Sequence, residues 1–323
     1  MTSMERMKEI VEQTFKGGNK TMNMTAEQLE QRKLGIGGSD AGAVLGLNPF
    51  ATPVDVYLDK IGESDPIEEN DAMYWGTALE DTIATEYARR TGHKVARRNK
   101  HFEHPDHSFM QANIDRWIVG QNKILECKTA GQYMSDKWGA DGTDEVPESY
   151  LIQCTHYMLV LGVDVTDLAV LIGGRDFRTY TIGLDKELAD MVIEKESNFW
   201  FNHVLKSIPP APTGLSDLEL LYPADNGEKM LATQEIENKV LTLQGVKEQI
   251  KALEVFKKDY ELTIKTAIGD ASVLMNGEGD AIVTFKKTKD SVTLDKQLFQ
   301  KEMPETYKAY SKEKPGHRRF LIK

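Results

Sequence analysis

Cysteine is nearly missing from this chain: its 323 residues include two, Cys127 and Cys154. That excludes a disulfide scaffold and a four-cysteine zinc or iron–sulfur centre within one chain. Long apolar runs are missing too, and nothing approaches the ~20 residues that a membrane-spanning helix needs. Residues 1–20 mix charges of both signs around no apolar centre, so they lack the core of a signal peptide. The expectation is a cytoplasmic protein with no membrane association. Positive charge is in deficit, with 40 Lys and Arg against 51 Asp and Glu and a net charge of −11. Such a balance argues against a protein that coats nucleic acid, because nonspecific affinity comes from basic side chains neutralising phosphates. A locally positive channel remains compatible with it. Arg89, Arg90, Lys94, Arg97, Arg98 and Lys100 form the densest basic run, either a solvated helix end and exposed strand or a contact for phosphates.

What the chain does have is a composition, 40% hydrophobic and 28% charged, sufficient for one large folded domain and an appendage. The most informative stretch is Asn113-Ile114-Asp115 followed by Glu126-Cys127-Lys128. Residues 109–119 and 123–128 read as apolar-rich strands around a turn at Gly120-Gln121-Asn122. If Gly120 and Gln121 form a two-residue loop, Val119 faces Asn122, and counting back sets Asp115 opposite Glu126. Side chains alternate along a strand, so Lys128 shares the face of Glu126, while Cys127 points away and leaves its carbonyl near the cluster. Magnesium takes oxygen ligands, usually one or two carboxylates plus water and substrate phosphate. Two acids, a carbonyl and an ammonium therefore suit the cutting of a phosphodiester. A register slip of one residue would turn Asp115 away. The plain alternative is an edge hairpin whose Glu126 and Lys128 form a surface ion pair. Against it stand Ile114, Trp117, Ile118, Ile124 and Leu125, which make the hairpin apolar enough to be central, where unpaired acids are costly.

Three further segments surround the hairpin. Residues 76–92 read as a helix with Leu79, Ile83 and Tyr87 at intervals of four and Gly92 as terminator. Thr77 and Glu80 fit a capping box there, which would need no chemical role for the glutamate. Glu80 also lies beside the buried stripe, where a free carboxylate would want a cation. Residues 147–162 carry proline at the first turn and place Gln153 and Tyr157 four apart on one face; His156 reads as a surface residue of this helix. Gly35 to Leu47 is a glycine-rich turn entering a short helix, with Ser39 or Asp40 available as cap.

Taken together, these blocks resemble the PD-(D/E)XK nuclease superfamily, and specifically its YqaJ-type viral recombinase branch, which includes the phage lambda-type exonucleases. The resemblance runs from about Arg32 to about Leu205, through the glycine-rich block, Trp75-Gly76-Thr77-Ala78-Leu79-Glu80, the hairpin, and Gln153 to Tyr157. The proline of the superfamily's name is replaced by Asn113-Ile114 ahead of Asp115. The resemblance implies an α/β fold, a mixed central sheet flanked by helices, with residues 31–206 as the nuclease core after an N-terminal extension, 1–30. It implies metal ligation by Asp115, Glu126, the Cys127 carbonyl and Glu80, with Lys128 activating water and Gln153 positioning phosphate or water. Arg32 and Ser39 match family residues at a terminal 5′-phosphate, and Tyr157 belongs to a glutamine-x-x-x-tyrosine motif. The activity implied is Mg2+-dependent, with Mn2+ able to substitute and two ions per site. It is ATP-independent 5′→3′ exonuclease digestion of linear double-stranded DNA. The implied setting is a phage or prophage protein in a bacterial host, a ring-shaped homo-oligomer (trimer or tetramer), and a single-strand annealing recombinase as partner. The rival readings are an endonuclease of the same superfamily and a non-catalytic DNA-end-binding adaptor.

Beyond this region, residues 166–173 and 177–182 read as a second hairpin, and 185–205 as a helix whose Phe199, Trp200 and Phe201 are core. Four prolines mark 207–229 as a linker. In 230–323, apolar residues from Ile236 to Ile264 keep three-and-four spacing, which predicts one long amphipathic helix for oligomer or partner contacts. Strands are expected at 281–287 and 319–322.

Overall fold

The structure is a computed structural model that describes residues 26–64, 70–98, 100–312, 314 and 316–322. Most of the expected N-terminal extension therefore lies outside the described residues. The chain divides into two compact units, 1–221 and 222–323.

In the first unit, helix α1 (Ala26–Lys33) leads to strand β1 (Ile36–Gly37) and the short helix α2 (Gly38–Val44). Helix α3 (Pro53–Ile61) starts where Thr52 and Asp55 form a reciprocal capping box with proline in the first turn, and it stops at Gly62, whose φ of 77° suits glycine. Helix α4 (Asp71–Thr91) is capped by the Asn70 side chain and ends at Gly92. Strands β2 (Val95–Ala96), β3 (Phe102–Glu103), β4 (Met110–Ala112), β5 (Arg116–Ile118) and β6 (Lys123–Ala130) follow. Helix α5 (Glu148–Leu161) then crosses to β7 (Val165–Ile172), which turns back into β8 (Asp176–Gly183). Helix α6 (Lys186–Phe199), capped by Asp185, continues into a π-helical turn at Trp200–Val204, and α7 (Leu215–Leu221) closes the unit.

The main sheet has the order β2-β5-β6-β7-β8. β6 and β7 are parallel, an arrangement that requires a crossover, and α5 supplies it; the other pairs are antiparallel. A second sheet has the order β1-β4-β3. This mixed α/β architecture is the one expected.

Helix α5 is the centre of the packing. It contacts α2, β4 and α6, and its residues from Ile152 to Met158 are all buried. His156, expected at the surface, is fully buried: Nδ1 meets both oxygens of Glu196 at 2.9 and 3.0 Å, and Nε2 meets the Gln111 carbonyl at 2.9 Å. A helix enclosed by sheet and helices has no wet face, which is why the surface reading fails. Phe199 and Trp200 are core as expected, whereas Phe201 is half-exposed against Phe109.

Two further expectations are corrected. The single strand expected over 109–119 is two, β4 and β5, which lie in different sheets because the chain bends at Asn113 to Asp115. Helix α4 begins six residues before Thr77, so that threonine is mid-helix and donates to the Met73 carbonyl (3.2 Å) rather than capping. The first half of the proline-containing stretch also belongs to the first unit: Asp217 of α7 accepts from Thr52 (2.9 Å) and from the Thr213 N–H (2.7 Å).

The second unit carries the expected long helix as α8 (Gln234–Ile268), a hairpin of β9 (Val273–Met275) and β10 (Ala281–Thr284), and short helices α9 (Lys296–Glu302) and α10 (Pro304–Ala309). β10 pairs with β9, its neighbour in sequence. Residues 319–322, expected as a strand, are unpaired.

Candidate active site

The decisive register holds. Arg116 pairs with Leu125 and Trp117 with Ile124, so one more step sets Asp115 against Glu126. The turn differs from the expected two-residue loop. β5 ends at Ile118, the Gln121 N–H donates to the Ile118 carbonyl (3.2 Å), Gly120 takes φ 81°, and β6 begins at Lys123. The ladder stops short of Asp115, whose Oδ2 accepts the Cys127 N–H at 2.8 Å. A side chain thus supplies an acceptor where regular pairing has ended. That bond fixes Asp115 beside β6. The Cys127 thiol points the other way, into a cluster with Ile83, Tyr87 and Phe177, and burial pushes its pKa up.

Glu126 is buried. Its Oε1 receives Lys128 Nζ at 2.7 Å and Gln153 Nε2 at 2.8 Å, while Oε2, also buried, has no hydrogen-bond partner. A buried acceptor left unpaired costs about 1–3 kcal/mol, more when charged. Burial opposes the charge on Lys128, but Glu126 and Asp115 outweigh it and hold the amine above its ordinary value. The amine also sits 5.1 Å from the centre of the Tyr150 ring. Burial, then Glu126 and Glu80, push the Asp115 carboxyl well above its ordinary range. Burial and the neighbouring acids thus disfavour a bare charge on Asp115, a cost that a bound cation would relieve. Asp115 with the free oxygen of Glu126 suits one hard cation, since magnesium needs one or two carboxylates. Among the described residues no three His, Cys, Asp or Glu side chains converge as a metal cluster.

Glu80 stands at the margin. Its carboxylate is engaged by Arg116 and by Arg97 (2.9 Å), and Arg116 also reaches Asp81 and the Asp115 carbonyl. Helix α4 thus meets the hairpin through an arginine-bridged acid cluster. Neither arginine was expected in this position, although Arg97 falls within the basic run.

On the other side, Gln153 Nε2 also donates to the Tyr157 hydroxyl at 3.1 Å. Tyr157 forms part of a cleft of about 570 Å³ whose lining includes Arg32, Ser39, Arg98, Lys100 and Asn113. The structure accordingly gathers Asp115, Glu126, Lys128 and Gln153 into one cluster and joins Arg32, Ser39 and Tyr157 along an adjoining cleft. The N-cap of α2 is Gly37, not Ser39 or Asp40 as expected; Asp40 lies in the first turn and reaches back to accept the Gly37 N–H at 3.1 Å. Burial would raise its pKa, but Lys60 (2.6 Å) and Arg32 (3.1 Å) outweigh that and lower it. Lys60 was missed by the sequence reading. Its signal was a lysine four residues after Val56 on an otherwise buried face of α3.

A family model described as the YqaJ-like viral recombinase domain matches residues 27–167. The uncharacterized protein YqaJ of Bacillus subtilis (strain 168) is 37% identical over 306 residues, covering 92% of this chain and 93% of that protein. Among solved structures, the alkaline exonuclease LHK-Exo from Laribacter hongkongensis aligns with 17% identity and a TM-score of 0.46, over 57% of this chain and 94% of that one. A phage-related exonuclease from Haemophilus somnus 129PT aligns with 15% identity and a TM-score of 0.44, over 54% and 96% respectively.

Proposed function

This chain belongs to the YqaJ-like viral recombinase family, and from that premise we propose that it is a Mg2+-dependent, ATP-independent exonuclease that digests linear double-stranded DNA 5′→3′. The observation that carries the reading is the unpartnered buried oxygen of Glu126 beside Asp115 and Lys128. Buried acids in a core are ordinarily fully paired; a buried carboxylate oxygen left without a partner beside a second acid suits a cation.

Asp115, Glu126 and the Cys127 carbonyl would hold magnesium, with Glu80 supporting Asp115 through Arg116. Bound there, the ion supplies Lewis acidity to the phosphate, and Mn2+ substitutes for it. A second ion would draw its ligands from substrate phosphate and water. The protein's own part is positioning. Lys128, held by Glu126 and faced by Tyr150, presents a charged amine that orients the attacking water. Gln153 fixes the Glu126 carboxylate and links it to Tyr157. Arg32 and Ser39 face the cleft in which a terminal 5′-phosphate would sit, and Arg98 and Lys100 add positive charge there. This local charge supports DNA binding by a chain whose net charge is negative. The 3′ strand left behind would pass to a single-strand annealing recombinase in the bacterial cytoplasm, with the enzyme working as a trimeric or tetrameric ring on DNA ends.

Linear duplex labelled at either end, with and without 5′-phosphate, incubated with magnesium and no ATP, tests polarity and end preference. The expected outcome is early release of the 5′ label and survival of covalently closed circles. Cutting of circles, or release from the 3′ end first, contradicts the reading.

A further inference from the structure

Lys60 sits where a lysine is costly. It lies in the last turn of α3, its side chain is 0% exposed, and its helix neighbours Val54, Val56, Tyr57 and Leu58 are core. Lysine is almost never fully buried unless paired, and a buried ion pair is often no more stable than apolar residues of the same volume. Packing alone therefore does not call for this residue. Its contacts do: Nζ donates to Asp40 Oδ2 at 2.6 Å and to the Arg32 carbonyl at 2.9 Å. That carbonyl belongs to the last turn of α1, where such groups lack a partner within the helix.

Both contacts lead to Arg32. Lys60 does not line the cleft of about 570 Å³, but Arg32 and Asp40 do, and the Arg32 side chain is 39% exposed. Asp40 is shared between the two cations. Its Oδ1 accepts Arg32 Nη2 at 3.1 Å, while Oδ2 takes Lys60 at the shorter 2.6 Å together with the Gly37 N–H at 3.1 Å. Arg32 Nε stands 3.9 Å from Asp59, beyond hydrogen-bond range. A guanidinium has five N–H donors, so the single bond to Asp40 leaves most of the Arg32 fork for an anion in the cleft. Without Lys60 that balance shifts. Asp40, still buried, would have Arg32 as its only close cation among the described residues and would draw the fork onto itself.

We propose, on the reading of this cleft as the seat of a terminal 5′-phosphate, that Lys60 is a positioning residue for phosphate recognition: by holding Asp40 and the end of α1, it keeps the Arg32 guanidinium presented to the phosphate.

The test uses the full chain and measures, by fluorescence anisotropy in a chelator, binding of labelled duplex with 5′-phosphate or 5′-hydroxyl ends. Wild type should favour the phosphorylated end. Lys60→Met should weaken binding of that end by about tenfold, the scale of one charge-assisted contact, and leave the hydroxyl end unaffected. Lys60→Gln, which keeps a donor but not the charge, should do the same and decides the matter should Lys60→Met fail to fold. The double variant Lys60→Met/Asp40→Asn removes the carboxylate that competes for Arg32 and should recover the preference. With magnesium, KM for phosphorylated ends should rise in the single variants while kcat holds. A lysine needed only for folding would instead lower affinity for both ends together, with no rescue by loss of the Asp40 charge. A wild type indifferent to the 5′-phosphate would overturn the reading of the cleft and the role of Lys60 with it. A wild type that prefers the phosphate, beside a folded Lys60→Met or Lys60→Gln that keeps the preference, would overturn the role of Lys60 alone. So would a double variant without rescue, or failure of both single variants to fold, which would assign Lys60 to stability.

Discussion

Replacing His156 by leucine should be among the most damaging single changes in the first unit, although the residue is not itself part of the acid cluster or of the cleft lining. His156 and Glu196 are both fully buried and face each other at 2.9 and 3.0 Å, and the second ring nitrogen meets the Gln111 carbonyl at 2.9 Å. Removing one member of a buried pair costs about 3–5 kcal/mol, because the remaining charge has neither water nor a partner. With a urea slope of about 2–3 kcal/mol/M, the midpoint should fall by roughly 1–2 M. The double variant His156→Leu/Glu196→Met leaves no orphaned charge and should recover most of that loss. Burial opposes the charge on His156, but Glu196 outweighs it and raises the pKa above the ordinary 6.5. The folded state thus holds this proton more tightly than the unfolded chain does. Its contribution is complete below pH 6.5 and is lost as pH rises through the folded value. The wild type's advantage over the double variant should therefore shrink between neutral and alkaline pH. Urea titrations of the full-length proteins across that range provide the assay. A loss below ~1 kcal/mol for His156→Leu, or a double variant as unstable as the single one, would refute the reasoning.

Gly38→Ala should destabilise by about 1–3 kcal/mol, because the added carbon would lie 2.3 Å from Tyr157 Cε1 and that ring is itself buried; a thermal melt checks this. Neither thiol should react with a disulfide reagent in the native protein, since burial raises the pKa of both Cys127 and Cys154; two should appear in denaturant, and absorbance of the released chromophore reports both. Glu80→Gln should leave the protein folded and lower magnesium-dependent nucleotide release, measured beside its circular dichroism, because one anchor of the Arg116 bridge to Asp115 is weakened.

Local patterns explain which elements were legible in the chain. The opposition of Asp115 and Glu126 followed from a turn and a period of two, and the register survives even though the turn is longer than expected. The Gln153 helix followed from proline at its first turn, and the long α8 from the three-and-four spacing of its apolar residues. The misreadings share a cause in distant or side-chain contacts. The break between β4 and β5 depends on Asp115 taking the Cys127 N–H, a bond between side chain and backbone that hydropathy does not register. Residues 71–75 of α4 are exposed, so no buried stripe announced the helix start, and Asn70 rather than Thr77 caps it. His156 needed Glu196, 40 residues away, and Asp40 needed Lys60. Arg116 bridging Glu80, Asp81 and Asp115 is of the same kind.

The most direct test of the central claim compares wild type with Glu126→Gln for release of acid-soluble nucleotides from 5′-phosphorylated linear duplex, with magnesium or with a chelator, and without ATP. The account predicts release by wild type that requires the metal, and a loss of roughly 100-fold or more in a folded Glu126→Gln, consistent with removal of a group that stabilises transition-state charge. Undiminished release by that variant, or none by the wild type, would contradict it.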